Sequence, residues 1–171
     1  MKTLVVYTSK YGATEECAKQ IEKGLEGQVE KVNLLEKQPK ELKSFDKVIL
    51  GTPIYAGNMS KEIKNFYATH KEELAHKKVG LFISCLDLSK VEEYIKLGFG
   101  EEGIKGLVIQ KGCGGILDFK KLNFFERTIC KLISKKEKDE AGNPLKITRQ
   151  TVLSRIDEGA IKEFVRVINN A

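Results

Sequence analysis

Thr3-Leu-Val-Val-Tyr7 runs into Thr8-Ser9-Lys10-Tyr11-Gly12-Ala13-Thr14, and that turn opens onto Glu15-Glu16-Cys17-Ala18, the start of a helix-patterned run. An apolar strand feeding a turn of hydroxyls and one glycine, with a helix beginning behind it, is how an α/β sheet builds an anion site. The turn's N–H groups converge, the helix start adds positive dipole density, and hydroxyls donate to phosphate oxygens. Thr8 through Thr14 are therefore the first candidate ligand residues. Glu15 and Glu16 suit the helix dipole but would repel a phosphate they faced, so both are expected to point away.

Outward from this turn, apolar strand-like runs alternate with helix-period segments. Strands read near 3–8, 29–34, 46–51, 79–85 and 106–112, and helices near 14–26, 61–71, 89–97 and 157–169. Cys17, Ile21 and Leu25 recur at helical spacing in the first helix. Ile161, Phe164, Val165 and Ile168 do so in the last, behind Asp157 as its N-cap. Residues 35–44 are too short and too Pro-interrupted for a full helix. Alternation of this kind predicts βαβ units, a parallel sheet and one domain over residues 1–171. Ligands of such sheets sit outside the carboxyl ends of the strands. The loops after the first, third and fourth strands are therefore the ones that matter.

The first loop resembles that of the flavodoxins, whose pattern is Ser-x-Thr-Gly-x-Thr. Ser9, Tyr11, Gly12 and Thr14 occupy its positions, Tyr11 standing where the pattern has Thr. The resemblance implies a doubly wound five-stranded parallel sheet of order 2-1-3-4-5, with FMN held by its 5′-phosphate on Thr8, Ser9, Lys10, Tyr11, Gly12, Ala13 and Thr14. It also implies that Thr52, Pro53, Ile54, Tyr55, Ala56, Gly57 and Asn58, after the third strand, contact the isoalloxazine, where Gly57 allows the peptide to move. Ser84, Cys85, Leu86 and Asp87, after the fourth strand, would meet the pyrimidine edge. No side chain there reads as an obligatory acid or base. Chemistry then belongs to the flavin, and no catalytic residue is assigned.

Composition narrows the class. The chain has 171 residues, a net charge of +6 and four cysteines without CxxC spacing. No apolar run is long enough to span a bilayer, and no signal-like segment precedes the first strand. A cytoplasmic location is expected, the cysteines remaining thiols. Two histidines outside any ligand spacing argue against a metal. Cys85 and Cys113 end adjacent strands but read as small buried hydrophobes rather than a redox pair. Gly98-Phe-Gly-Glu-Glu-Gly103 matches GxGxxG, yet it follows a helix and precedes a strand, the reverse of the dinucleotide-binding context. Receiver, tyrosine-phosphatase and Walker A readings each lack their defining residues.

Residues 114–154 break the alternation with an inserted basic amphipathic segment. Gly114-Gly-Ile-Leu-Asp-Phe-Lys-Lys-Leu-Asn-Phe-Phe-Glu-Arg-Thr-Ile-Cys-Lys-Leu-Ile133 is similar to the inserted loop and helix of the bacterial flavodoxin-like, quinone-dependent protoporphyrinogen oxidases. That resemblance implies an FMN oxidoreductase passing electrons from protoporphyrinogen to a quinone. Phe124, Phe125, Ile129, Leu132 and Ile133 would cover an apolar substrate. Lys120, Lys121, Arg127, Lys131, Lys135 and Lys136 would pair with propionates or, across 119–136, with an anionic membrane surface reached from the cytoplasm. One alternative is a soluble flavodoxin-type electron carrier serving a redox partner. Another is a flavin-free module docking through the basic helix. Nucleic acid is not the expected partner, and the sequence leaves the oligomeric state open. Positive charge is expected to raise the final reduction potential of a bound flavin above that of acidic carriers.

Overall fold

In the computed structural model, which describes residues 1–133, 142–144 and 146–171, strand β1 (Lys2–Tyr7) is buried on both faces. Its alternate side chains divide between two cores. Leu4 and Val6 join Val48, Leu50, Leu81, Ile63, Phe66 and Ile95 on one face. Val5 and Tyr7 join Ile49, Phe82, Cys17, Ile21, Ile161 and Phe164 on the other. An unbroken apolar run from Leu4 to Tyr7 is what a parallel sheet covered on both sides demands.

The chain continues through α1 (Ala13–Gly24), β2 (Gln28–Asn33), β3 (Lys47–Tyr55), β4 (Asn58–Met59), α2 (Lys61–Thr69), α3 (Lys71–Leu74) and β5 (Lys78–Ser84). Then follow α4 (Val91–Lys105), β6 (Leu107–Gly112), β7 (Ile116–Asp118), α5 (Phe124–Ile133), β8 (Val152–Ser154) and α6 (Glu158–Asn170). The parallel strands lie in the order β2-β1-β3-β5-β6, with β4 turned back antiparallel on β3. Counting parallel strands alone, this is the expected 2-1-3-4-5 order of a flavodoxin-like α/β fold. Among the described residues, no helix is long and apolar enough to cross a membrane.

Three elements differ from the sequence expectation. β3 runs on to Tyr55, four residues past Gly51, because β4 supplies a partner for its end. The helix expected over 61–71 breaks into α2 and α3 at His70, whose φ of −106° is not helical. α4 extends to Lys105 and takes in the GxGxxG glycines, kinking at Gly100, where φ is 67°. A Cβ at Gly98 would crowd Met59, and one at Gly103 would lie 2.9 Å from the Phe99 Cβ. These glycines answer to packing.

The insertion is a closed excursion. Asp157 N–H donates to Cys113 O at 3.1 Å, so its ends meet on the main fold. β7 pairs antiparallel with β8, and Arg155 N–H donates to Gly115 O at 2.8 Å. Gly114 (φ 72°) passes so close to the Arg155 carbonyl that no side chain fits. Lys135 and Lys136 lie outside the described residues.

Candidate functional site

Strand register sets the site. Tyr7 lies beside Gly51 and Pro53 beside Ser84, so β1, β3 and β5 end on one edge and their loops converge there. The first loop is held by its own side chains and by β2. Ser9 Oγ accepts from Gly12 N–H (3.1 Å) and Glu15 N–H (3.2 Å), while Asn33 Oδ1 accepts from Ser9 N–H (3.4 Å). Gly12 is the N-cap of α1 at φ 95°, a conformation costly for any residue with a Cβ. Glu15 pairs with Lys19 at 3.0 Å and Glu16 accepts from Gln20, so both carboxylates run along the helix.

The cradle this leaves is specific. Of the four N–H groups that open α1, Gly12 and Glu15 are taken by Ser9, and Ala13 and Thr14 have no intrahelical partner. Thr8 and Thr14 are 2% and 1% exposed, and neither Oγ1 has a hydrogen-bond partner among the described residues. An unpaired buried hydroxyl costs about 1–3 kcal/mol, so two of them flanking a helix start mark the place of a missing acceptor. A phosphate supplies it: two backbone donors, two hydroxyls and the helix dipole fit its oxygens. Ser9 accepts twice and still has its own O–H to donate.

The second loop is a tight hairpin turn. Tyr55 pairs with Asn58 across Ala56 and Gly57, whose φ values of 49° and 79° are both left-handed. Positive φ at both central positions is the type I′ geometry, in which alanine is strained. Thr52 is buried, its Oγ1 accepting from Ser60 N–H at 3.1 Å, so it braces the loop from inside. Tyr55 is exposed and meets Tyr11 edge to face at 5.9 Å, joining the first two loops. In the third loop Ser84 and Cys85 are buried, Leu86 and Asp87 less so, and Asp87 Oδ1 caps a single turn through Ser89 N–H at 3.0 Å. Burial pushes the Cys85 thiol up to about 11 and Cys17 to about 12, with Cys113 raised as well. Burial thus keeps all three protonated at neutral pH.

Two partners of this site were not anticipated. Glu126 Oε1 accepts from Tyr11 Oη and from Lys10 Nζ at 3.2 Å. Lys121 Nζ donates to Tyr11 O at 3.0 Å. Both come from the insertion, more than a hundred residues away in sequence, where no local pattern points back to the first loop. Asn33 was legible in principle: once β2 is placed beside β1, its last residue lies beside Tyr7.

With this geometry in hand, the relatives of the chain can be placed. Its similarity to the flavodoxin of Clostridium saccharobutylicum is 35% identity over 88 residues, covering 49% of this chain and 55% of that one. The chain thus spans about half the length of the curated relative it matches. Among solved structures, the two-electron reduced flavodoxin of Megasphaera elsdenii superposes with a TM-score of 0.54 at 23% identity, covering 64% of this chain and 84% of that one. A flavodoxin of Streptococcus pneumoniae TIGR4 covers 99% of both chains with a TM-score of 0.52 at 16% identity. These two show a shared fold. A family profile described as Flavodoxin domain matches residues 4–142, most of the chain and all three loops. FMN is the cofactor that domain implies, and the first loop fits its phosphate; the chain belongs to the flavodoxin domain family.

Proposed function

We propose that this protein binds FMN without a covalent link and works as an electron-transfer flavoprotein. The observation that carries the reading is the pair of unpartnered hydroxyls on Thr8 and Thr14 at the start of α1. Ala13 and Thr14 N–H groups and the Thr8, Ser9 and Thr14 hydroxyls hold the phosphate. Pro53, Ile54, Tyr55, Ala56, Gly57 and Asn58 line one side of the ring, and Ser84 to Asp87 its far edge. The flavin supplies the redox chemistry; the chain supplies binding, orientation and electrostatics. An absorption spectrum before and after adding FMN and desalting tests this. Retained yellow chromophore, released as FMN on denaturation, is the expected result. Colourless protein would leave the flavin-free docking module as the reading.

A second reading has its own support. α5 leaves Phe124 (75%), Phe125 (77%), Ile129 (57%) and Leu132 (58%) exposed, with Lys120 and Lys131 beside them. An apolar helix face is normally packed away, and this one stands next to the first loop through Glu126. It suits a large apolar electron donor or an anionic membrane surface, as in quinone-dependent oxidation of protoporphyrinogen. Turnover of protoporphyrinogen with a quinone by the FMN-loaded protein separates that enzyme from a carrier that only exchanges electrons with a redox partner.

A further inference from the structure

The insertion reaches the phosphate cradle through one side chain. Lys121 lies in the turn between β7 and α5, its N–H donating to Asp118 O at 3.1 Å. The turn is fixed from several sides. Phe119 and Leu122, flanking the two lysines, are buried (0% and 6% exposed). The Arg127 guanidinium donates to Phe119 O (3.1 Å) and Leu122 O (2.7 Å). Asn123 and Glu126 close a reciprocal capping box, each N–H donating to the other's side chain at 2.9 Å. With the backbone so held, Lys121 points back over the first loop. Its Nζ is 3.0 Å from Tyr11 O and 3.2 Å from where a Cβ on Gly12 would stand.

We propose that Lys121 is a phosphate ligand of the flavin site, delivered by the insertion, and that it sets a preference for FMN over riboflavin. The inference rests on the FMN reading above and adds to it. Tyr11 O uses one of the three ammonium donors, and among the described residues the others are available to an anion on the same loop. The charge of Glu126 is offset by a different cation, Lys10, which pairs with it at 3.2 Å. A phosphate bound by Thr8, Ala13 and Thr14 therefore meets a fixed cation across the loop, as a charge-assisted hydrogen bond.

Binding of FMN and of riboflavin to the full-length, flavin-stripped protein tests the assignment by flavin fluorescence at low and high salt. Lys121→Met is expected to weaken FMN about tenfold, equivalent to about 1.4 kcal/mol, and to leave riboflavin unchanged. Screening should shrink the difference at high salt. Lys121→Arg should keep the FMN preference, and Lys120→Met, on the neighbouring lysine, should have no effect. Equal weakening of both flavins, or no weakening of FMN, overturns the assignment while the FMN reading stands. Wild-type protein that binds neither flavin overturns both.

Discussion

Thr8 and Thr14 keep hydroxyls in a buried place where valine would pack as well and cost less. Such a residue trades stability of the empty protein for affinity, which gives opposite signs in two measurements. Thr14→Val should raise the stability of flavin-free protein by about 1 kcal/mol, since an unpaired buried hydroxyl is removed. In urea titrations the midpoint moves up; in FMN titrations the same variant binds about tenfold more weakly, for loss of one good hydrogen bond. A variant less stable when empty would mean that the hydroxyl already has a partner. Ala56 offers a second residue-scale test. Its φ of 49° belongs to asparagine or glycine in a type I′ turn, so Ala56→Asn should stabilise the flavin-free protein by about 0.5–1 kcal/mol in the same titration.

α5 owes its position to its first turn, where Glu126 both caps the helix and binds the first loop. The groups facing that carboxylate are Tyr11, Lys10 and the Asn123 N–H. The Tyr11 hydroxyl bond, above all, holds Glu126 below its ordinary 4.5. Burial first, then the Glu126 bond, raises Tyr11 above its ordinary 10.0, and bonds to Tyr11 and Glu126 raise Lys10. A depressed carboxyl stabilises fully above its unfolded value and stops as pH falls through its folded one. Raised phenol and ammonium groups stabilise below their unfolded values and stop as pH rises through their folded ones. The latch is therefore complete from about pH 5 to about pH 10 and opens on either side. Hydrogen exchange in α5, corrected for intrinsic rates, should lose protection below that range before the sheet unfolds, and Glu126→Gln should lose that acid limb. None of this was legible in the sequence. The five strands and the three loops were, because they follow from local periodicity and from βα connections, and the resemblance of the first loop implied their order. The latch joins residues more than a hundred apart. Lys121 stood out only as one of several basic residues, with nothing to single out the one that reaches across to the first loop. Lys47 is similar: nothing in the local pattern marks this first residue of β3, yet it is buried, and its Nζ donates to Ile168 O (2.6 Å) and Asn169 O (3.2 Å), closing the end of α6.

The whole chain carries +6, and the charges nearest the ligand edge set how that net value reaches a bound flavin. Lys10 stands on the first loop and Lys121 reaches over it; Glu126 is paired with Lys10, Glu15 and Glu16 run back along α1, and Asp87 lies across at the third loop. Reduction adds negative charge to a group already carrying a phosphate dianion. A cationic surround favours that addition, and an anionic one opposes it. The lower reduction step should accordingly lie above that of flavodoxins with acidic surfaces. Salt gives the sharper test, because screening acts on whichever sign dominates within about 10 Å at moderate ionic strength. Here added salt should lower the midpoint of that step, whereas in a protein with an acidic surround it should raise it. Lys121→Met should flatten the salt response, while a distant substitution such as Lys31→Met, on β2, should leave it alone. Spectroscopic redox titrations of the FMN-loaded protein at two salt concentrations measure both slopes. A midpoint that rises with salt in the wild type would place the dominant local charge on the carboxylates, and the +6 would then act only on how the protein meets its partners.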